Sequence, residues 1–353
     1  MNATPNCPPL TAPLKTHGGK AYLASRLVQM MPQHLHYVEP YFGGGSVLLH
    51  KDPNGVSEVV NDLNRDLMKF WRVLQSPTLF QSFQRQVEAT PFSEQEWHDA
   101  VEVLKAPAIP DPNAEEHVGR AVAFFVRCRQ SLAGRQQDFA PLSRTRVRRA
   151  MNEQASAWLG AIEGLPAVHE RLKRVVVLSH KAVDVIRQQD GKDTLCYCDP
   201  PYVHSTRSSS DDYDHEMTDA DHSELLDTLG GVQGRFMLSG YDCDLYRAAE
   251  QKYGWHRTEF DMANNAASGT TKRRMVEVVW HNFTAPTWKP VPMKSGSSRL
   301  IHPSPGTSGT RVLLTTPSAG FEEQPGIDRT PSPARLRSPK FTEAGARVHK
   351  ATC

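Results

Sequence analysis

Asp199-Pro200-Pro201-Tyr202 follows directly on the apolar run Leu195-Cys196-Tyr197-Cys198, and each residue of the tetrad has a chemical use. The Asp199 carboxylate and the Pro200 carbonyl are two acceptors that can take both hydrogens of a ring-bound amino group. Such an amine is a poor nucleophile because its lone pair is conjugated into the ring, and acceptors on both hydrogens draw that pair out toward an electrophile. Two consecutive prolines fix φ, and the first is kept from the α region by the second, so the acceptors are held still. Tyr202 offers an aromatic face to a planar ring. A Pro-Pro pair after a strand also makes a plain rigid turn, and the tetrad gains weight only from the segments that accompany it.

The first of these is Tyr41-Phe42-Gly43-Gly44-Gly45-Ser46, which closes the apolar run Leu35 to Glu39 and leads into Val47-Leu48-Leu49. Glycines after a buried strand let the backbone approach a ligand closely. The spacing is not that of the dinucleotide fingerprint. Glu39 ends this strand and Asp62 ends the next, Glu58 to Asn61, so in a parallel sheet both acids sit at the carboxyl edge where open α/β folds bind ligands. A carboxylate there suits the hydroxyls of a ribose; the alternative for Asp62 is a cap on the helix that follows.

Helical spacing over Asn64 to Leu74 completes a second β-α unit, and two in succession imply a parallel sheet. From about Ser76 to Arg174 the pattern changes to helices and polar loops, with eight arginines but only one acid, Asp138, between Val118 and Met151. Cations along a groove bind polyanions such as nucleic acid, although a solvated helix face reads the same way. Strand-like runs resume at Val175 to Leu178, Leu195 to Cys198, Arg235 to Ser239 and Met275 to Trp280, with a helix over Asp219 to Leu229. The organisation expected is a disordered leader over 1–13, a domain built from 14–75 and 175–283, an insertion over 76–174, and a disordered Pro, Ser and Thr-rich tail over 284–353. That tail carries ten Lys or Arg against four Asp or Glu, within a net charge of +2 for the 353-residue chain. No run approaches the roughly 20 apolar residues of a membrane span, and six cysteines without paired spacing favour neither a disulfide framework nor a zinc site. A cytoplasmic protein, free of membrane and metal, is expected.

His36-Tyr37-Val38-Glu39-Pro40-Tyr41-Phe42-Gly43-Gly44-Gly45-Ser46-Val47, preceded by Leu14-Lys15-Thr16-His17-Gly18-Gly19-Lys20, resembles the cofactor half of Dam-like, adenine-N6-specific DNA methyltransferases. The resemblance implies S-adenosylmethionine as cofactor, contacted by Thr16, Lys20, Glu39, Tyr41, Gly43, Gly45 and Asp199, with its ribose on Asp62. Thr16 stands where the family often has an aromatic residue. It also implies that Asp199, Pro200, Pro201 and Tyr202 act on an adenine flipped out of duplex DNA, a step costing a few kcal/mol that stacking offsets. Aspartate at the first position matches adenine-specific enzymes, whereas cytosine-N4 enzymes more often carry serine there.

Phe236 to Asp242 resembles the family's strand and loop beyond the catalytic motif, and Asn264 to Val279 its closing hairpin, with Lys272, Arg273 and Arg274 able to meet the DNA backbone. The motif order implies an α/β fold: a Rossmann-like methyltransferase sheet with an inserted, mainly helical target-recognition domain. Within it, Phe124 to Arg135 stands where GATC-type enzymes read bases, but the letters differ, so Arg127, Arg129 and Arg135 are candidates for guanine edges or, more readily, phosphates. The target sequence stays open. Expected partners are double-stranded DNA and a cognate restriction endonuclease, in a bacterial or phage setting. The alternatives are a DNA-binding protein that kept the fold and lost catalysis, and a methyltransferase acting on RNA or on cytosine N4.

Overall fold

The computed structural model describes residues 8–16, 18–107, 113–141, 144–203, 206, 216–263 and 274–285. The chain divides into two units, Met1–Val291 and Pro292–Cys353, and every described residue belongs to the first. Its opening elements alternate: α1 (Ala24–Met30), β1 (His36–Glu39), α2 (Ser46–His50), β2 (Ser57–Asn61) and α3 (Arg65–Gln75). A mainly helical stretch follows, with α4 (Pro77–Ala89), α5 (Glu94–Lys105), α6 (Ala114–Arg129), a short hairpin of β3 (Val147–Arg148) and β4 (Met151–Asn152), α7 (Glu153–Glu163) and α8 (Leu165–Leu172). Alternation then resumes as β5 (Val175–Leu178), α9 (Ala182–Gln189), β6 (Thr194–Cys198), α10 (Asp219–Gly230), β7 (Arg235–Gly240), α11 (Asp244–Tyr253), β8 (His256–Ala263) and β9 (Arg274–His281).

The seven-stranded sheet has the order β5-β2-β1-β6-β7-β9-β8. Its first five strands are parallel, and β9 runs antiparallel between β7 and β8. The expected α/β class is therefore borne out. Side chains alternate between two apolar layers, as the pleat requires. Tyr37, Leu195, Tyr197, Met237 and Val279 face the layer built by α1, α2 and α3, with Leu27, Leu48 and Trp71. Val38, Cys196, Cys198, Phe236, Leu238 and Trp280 face the layer of α9, α10 and α11, with Val185, Leu225 and Tyr246. Cys196 and Cys198 are thus core residues of β6 on one face, with their sulfurs 3.5 Å apart, and both are free thiols.

The inserted helices share the first layer. Phe70 of α3 stacks on Phe125 of α6 at 5.9 Å, and Phe125 packs on Phe83 and Trp158 at 5.8 and 5.2 Å. Arg120 adds a two-pronged ion pair from α6 to Asp66 of α3, at 2.7 and 2.8 Å. The insertion is thereby anchored to the sheet's own helix. At the other end, packing reaches back before the expected start of order: the Leu10 amide donates to the Leu49 carbonyl at 3.0 Å, because the end of the short helix α2 offers that acceptor. Among the described residues no helix is long and apolar enough to cross a membrane.

β8 and α11 are not among the sequence expectations. Both are mostly polar: α11 buries only Tyr246 and Ala249, and β8 is an edge strand paired on one side by β9. Asn61, fully buried at the end of β2, fixes the sheet's carboxyl edge. Its amide nitrogen donates to the carbonyls of Pro40 and His180, both at 3.0 Å, and its oxygen accepts from the His180 amide at 2.8 Å. Asn61→Ala leaves the buried Pro40 carbonyl unsatisfied, at about 1–3 kcal/mol before relaxation, and frees the more exposed His180 groups to water. Urea unfolding should show a lower midpoint with an unchanged slope.

Candidate active site

A cavity of about 540 Å³ lies over the carboxyl ends of β1, β2 and β6, where the strand order reverses between β1 and β6. This is the edge at which open α/β sheets bind their ligands. Thr16, Lys20, Glu39, Tyr41, Gly43, Gly45 and Asp62 all line it, as do Asp199, Pro200 and Pro201. Tyr202 does not; it is 7 % exposed and sits behind them.

The glycine turn is built for close approach. Gly43 and Gly45 have φ of +49° and +70°, the left-handed region that other residues enter at a cost. A Cβ on Gly45 would stand 2.8 Å from the Phe42 ring, and one on Gly44 3.1 Å from the Thr16 hydroxyl oxygen. Thr16 therefore packs directly against the turn. The turn is held from below by Trp71, whose ring nitrogen donates to the Gly43 carbonyl at 3.1 Å. Asp62 accepts the Gly43 amide on one oxygen and the Asn64 amide on the other, both at 3.0 Å, while Asn64 caps α3. Glu39 is 2 % exposed and accepts from the Tyr37 hydroxyl at 3.2 Å. Burial pushes its carboxyl well above the ordinary range, against the pull of that hydrogen bond.

At the end of β6 lies a charged cluster. Lys20, 5 % exposed, places its ammonium 2.7 Å from Asp199 Oδ1 and 3.5 Å from Glu277 Oε1, and donates to the Gly18 carbonyl at 3.2 Å. The same ammonium lies over the Tyr202 ring, 4.8 Å from its centre. The Tyr202 hydroxyl donates to Glu277, and the edge of the ring meets Tyr241 with centres 4.6 Å apart. Burial alone would lower the Lys20 pKa, but Asp199 and then Glu277 overcome it and hold the group well above its usual value. For Asp199, burial pushes the carboxyl up, Lys20 pulls it down and Glu277 adds to the rise.

Glu277 is the member of this cluster that sequence reasoning misses. The available signal is one acid within the apolar stretch Val276 to Trp280, which is also how an edge strand with an outward acid reads.

The arginine-rich region divides. Arg127 and Arg135 line the cavity on its far side, with Arg127 donating to the Gln136 carbonyl at 3.1 Å. Arg129 turns inward, donates to the Ala157 carbonyl at 2.8 Å, and has its pKa lowered by burial. Arg144, Arg146, Arg148 and Arg149 are exposed on and beside the β3–β4 hairpin, where Arg149 also pairs with Glu163 at 2.6 Å. Gly134 brings this region against the leader, since a Cβ there would stand 2.3 Å from the Lys15 carbonyl oxygen. Arg274 opens β9, whereas Lys272 and Arg273 lie outside the described residues, as does the tail beyond Ala285.

A family model described as D12 class N6 adenine-specific DNA methyltransferase matches residues 17–263. Among curated proteins none matches significantly. Among solved structures, the chain is similar to a precorrin 8w decarboxylase from Methanobacterium thermoautotrophicum, with a TM-score of 0.32 and 9 % identity over 75 % of this chain and 89 % of that one. It is also similar to an rRNA methyltransferase from Streptomyces viridochromogenes, with a TM-score of 0.30 and 10 % identity over 79 % of this chain and 87 % of that one.

The Lys20 cluster predicts a pH-dependent stability. A raised lysine pKa contributes stability that is fully present below about 10.5 and lost as pH rises through the folded value. Lys20→Met strands the buried Glu277 and leaves Asp199, part-exposed on the cavity wall, without its cation, which should cost up to about 3–5 kcal/mol at neutral pH. Protonation of Asp199, whose carboxyl burial already pushes up, relieves part of the strain, so the deficit against wild type should shrink as pH falls below neutral. Chemical unfolding at several pH values measures it, and a deficit independent of pH would contradict the charge argument.

Proposed function

The chain belongs to the D12 class N6 adenine-specific DNA methyltransferase family, and from that premise we propose how its own residues carry out the transfer. Its substrate is adenine in DNA and its reaction needs a methyl donor. We take that donor to be S-adenosylmethionine, which when bound supplies a methyl group made electrophilic by a sulfonium. The cavity fits such a molecule: its volume lies in the range of small-molecule sites, and at Gly43, on its glycine wall, an added Cβ would enter open space with no protein atom within 4 Å. Glu39 and the glycine turn would hold the methionine part, Asp62 would accept from the ribose, and Thr16 and Lys20 would close the site from the leader side.

The observation that carries this reading is the Asp199 carboxylate, standing on the cavity wall at the end of β6 with one oxygen anchored by Lys20 at 2.7 Å. The anchored side chain keeps its second oxygen in a fixed position. That oxygen and the Pro200 carbonyl accept the two hydrogens of the adenine amine and localise its lone pair, and the Asp199 carboxylate later takes up the proton that the methylated nitrogen releases. The work is orientation and electrostatics in a preorganised site. Tyr202 backs the pocket, and its hydroxyl and ring are fixed by Glu277, Lys20 and Tyr241.

DNA approaches from the insertion side. Arg135 lines the cavity and is exposed, and the hairpin arginines extend the positive surface beyond it. Arg129, bonded inward, serves the insertion's own packing. A cognate endonuclease and a bacterial or phage setting accompany this reading as proposals, and we place Lys272 and Arg273 with the DNA backbone.

Incubation with labelled S-adenosylmethionine and duplex DNA, followed by nucleoside analysis, should place label in N6-methyladenine; label in cytosine, or none, would overturn the reading. Asp199→Ala should lower kcat by at least about 10²–10³-fold, the scale of losing one fixed electrostatic partner, while DNA binding persists. Arg148→Ala should weaken binding evenly across sequences. It should also reduce the slope of log affinity against log salt by about 1, the loss of one phosphate contact.

A further inference from the structure

Glu277 is 3 % exposed in the first half of β9, on a strand otherwise rich in valine. A carboxylate is buried only where it is paired. Its partners lie at the reacting end of the molecule: the Tyr202 hydroxyl donates to Oε1, the Tyr22 hydroxyl to Oε2 at 3.4 Å, and the Lys20 ammonium stands 3.5 Å from Oε1. β9 runs antiparallel beside β7, so its early residues reach the edge where β6 ends in Asp199.

An ammonium carries three hydrogens and a tyrosine hydroxyl one, and both groups border Asp199. With Asp199 as the cluster's only carboxylate, Lys20 and Tyr202 would both turn to it and fill the lone pairs that an incoming amine needs. The observed arrangement separates them. The Tyr202 hydroxyl is in contact with Glu277 and 3.5 Å from Asp199 Oδ1, the oxygen that Lys20 holds, longer than an ordinary O–H···O bond, and Oδ2 is left to the cavity. Lys20 reaches Asp199 through one oxygen, Oδ1, with Glu277 as its second carboxylate.

We propose that Glu277 is a positioning residue for methyl transfer, diverting the Tyr202 hydroxyl and part of the Lys20 charge from Asp199 so that Asp199 keeps an oxygen for the adenine amine. The inference rests on the reading of Asp199 as that acceptor. It also has a charge consequence. Glu277 adds to the rise in the Asp199 pKa, so removing its charge lowers that pKa, and a Tyr202 hydroxyl turned toward Asp199 lowers it further.

Wild type, Glu277→Gln, Glu277→Ala and the double variant Glu277→Ala with Tyr202→Phe are compared for adenine methylation across pH, with calorimetric binding of S-adenosylmethionine and thermal unfolding confirming a folded protein. Glu277→Ala should lower kcat by up to about 100-fold, the scale of a misplaced reacting group. Glu277→Gln, which keeps an acceptor for Tyr202, should lose less, and in both the KM for the cofactor should change little. The acid limb of kcat/KM should move to lower pH in Glu277→Gln, which a purely structural role would not produce. Adding Tyr202→Phe to Glu277→Ala removes the stray donor and should restore part of the lost rate.

A Glu277→Gln enzyme with wild-type kcat and an unmoved acid limb, or a double variant no faster than Glu277→Ala, would overturn the role of Glu277 alone. An inactive wild type would overturn the reading of Asp199 and this inference with it.

Discussion

A single buried ammonium connects three parts of the chain that are far apart in sequence. Lys20 comes from the leader, Asp199 from the end of β6 and Glu277 from β9, and the three meet with Lys20 and Glu277 buried and Asp199 facing the cavity. Two carboxylates could not stay ionised there without a cation, and the cation could not stay buried without them. Leader, central strand and final strand are therefore fixed relative to one another by charge as well as by packing. The cluster carries one more negative charge than positive when all three groups are ionised. That excess is complementary to chemistry in which positive charge moves from one bound group to another.

The cavity depends on a second, uncharged set of constraints. The Gly43–Gly45 turn stays open because Trp71, behind the cavity, and Asp62, on its wall, hold the backbone of Gly43. Asn61 ties the strand ends beside it to the loop after β5. The helical insertion then closes the space by contact with the leader, where Gly134 meets Lys15 so closely that a side chain at 134 would collide with backbone. Residues that read as cofactor contacts in the leader are thus also the surface on which the insertion rests. Binding in the cavity and the setting of the insertion share those atoms.

Local signals in the sequence identify the β1 glycine turn, β2, the Asp199 tetrad and the alternation of β6 and β7, since each is a short run bounded by residues with strong backbone preferences. β8, α11 and Glu277 escape for one physical reason. Their burial is decided by partners far away in sequence, and their own residues are mixed enough to suit solvent equally well. The arginine region shows the same limit from the other side. Composition marks eight arginines as one basic block, yet Arg120 is spent on Asp66 and Arg129 on a backbone carbonyl. Only tertiary structure tells an anchoring guanidinium from one offered to a ligand.

Topology keeps the insertion apart from the strand pairing that holds the cavity wall. The insertion leaves the sheet after α3 and returns at β5, an edge strand whose only neighbour in the sheet is β2. The strands that end in Glu39 and lead into Asp199, β1 and β6, lie further in and pair with each other across the reversal of strand order. Changing the length or letters of the hairpin between β3 and β4 therefore breaks no ladder that holds Asp199 or the glycine turn. The limit on such change is the aromatic contact from Phe70 to Phe125 together with the Asp66–Arg120 pair, which hold α6 to α3. Variation that leaves those contacts in place can alter the exposed arginines of the hairpin while the strand pairing around Asp199 stays fixed.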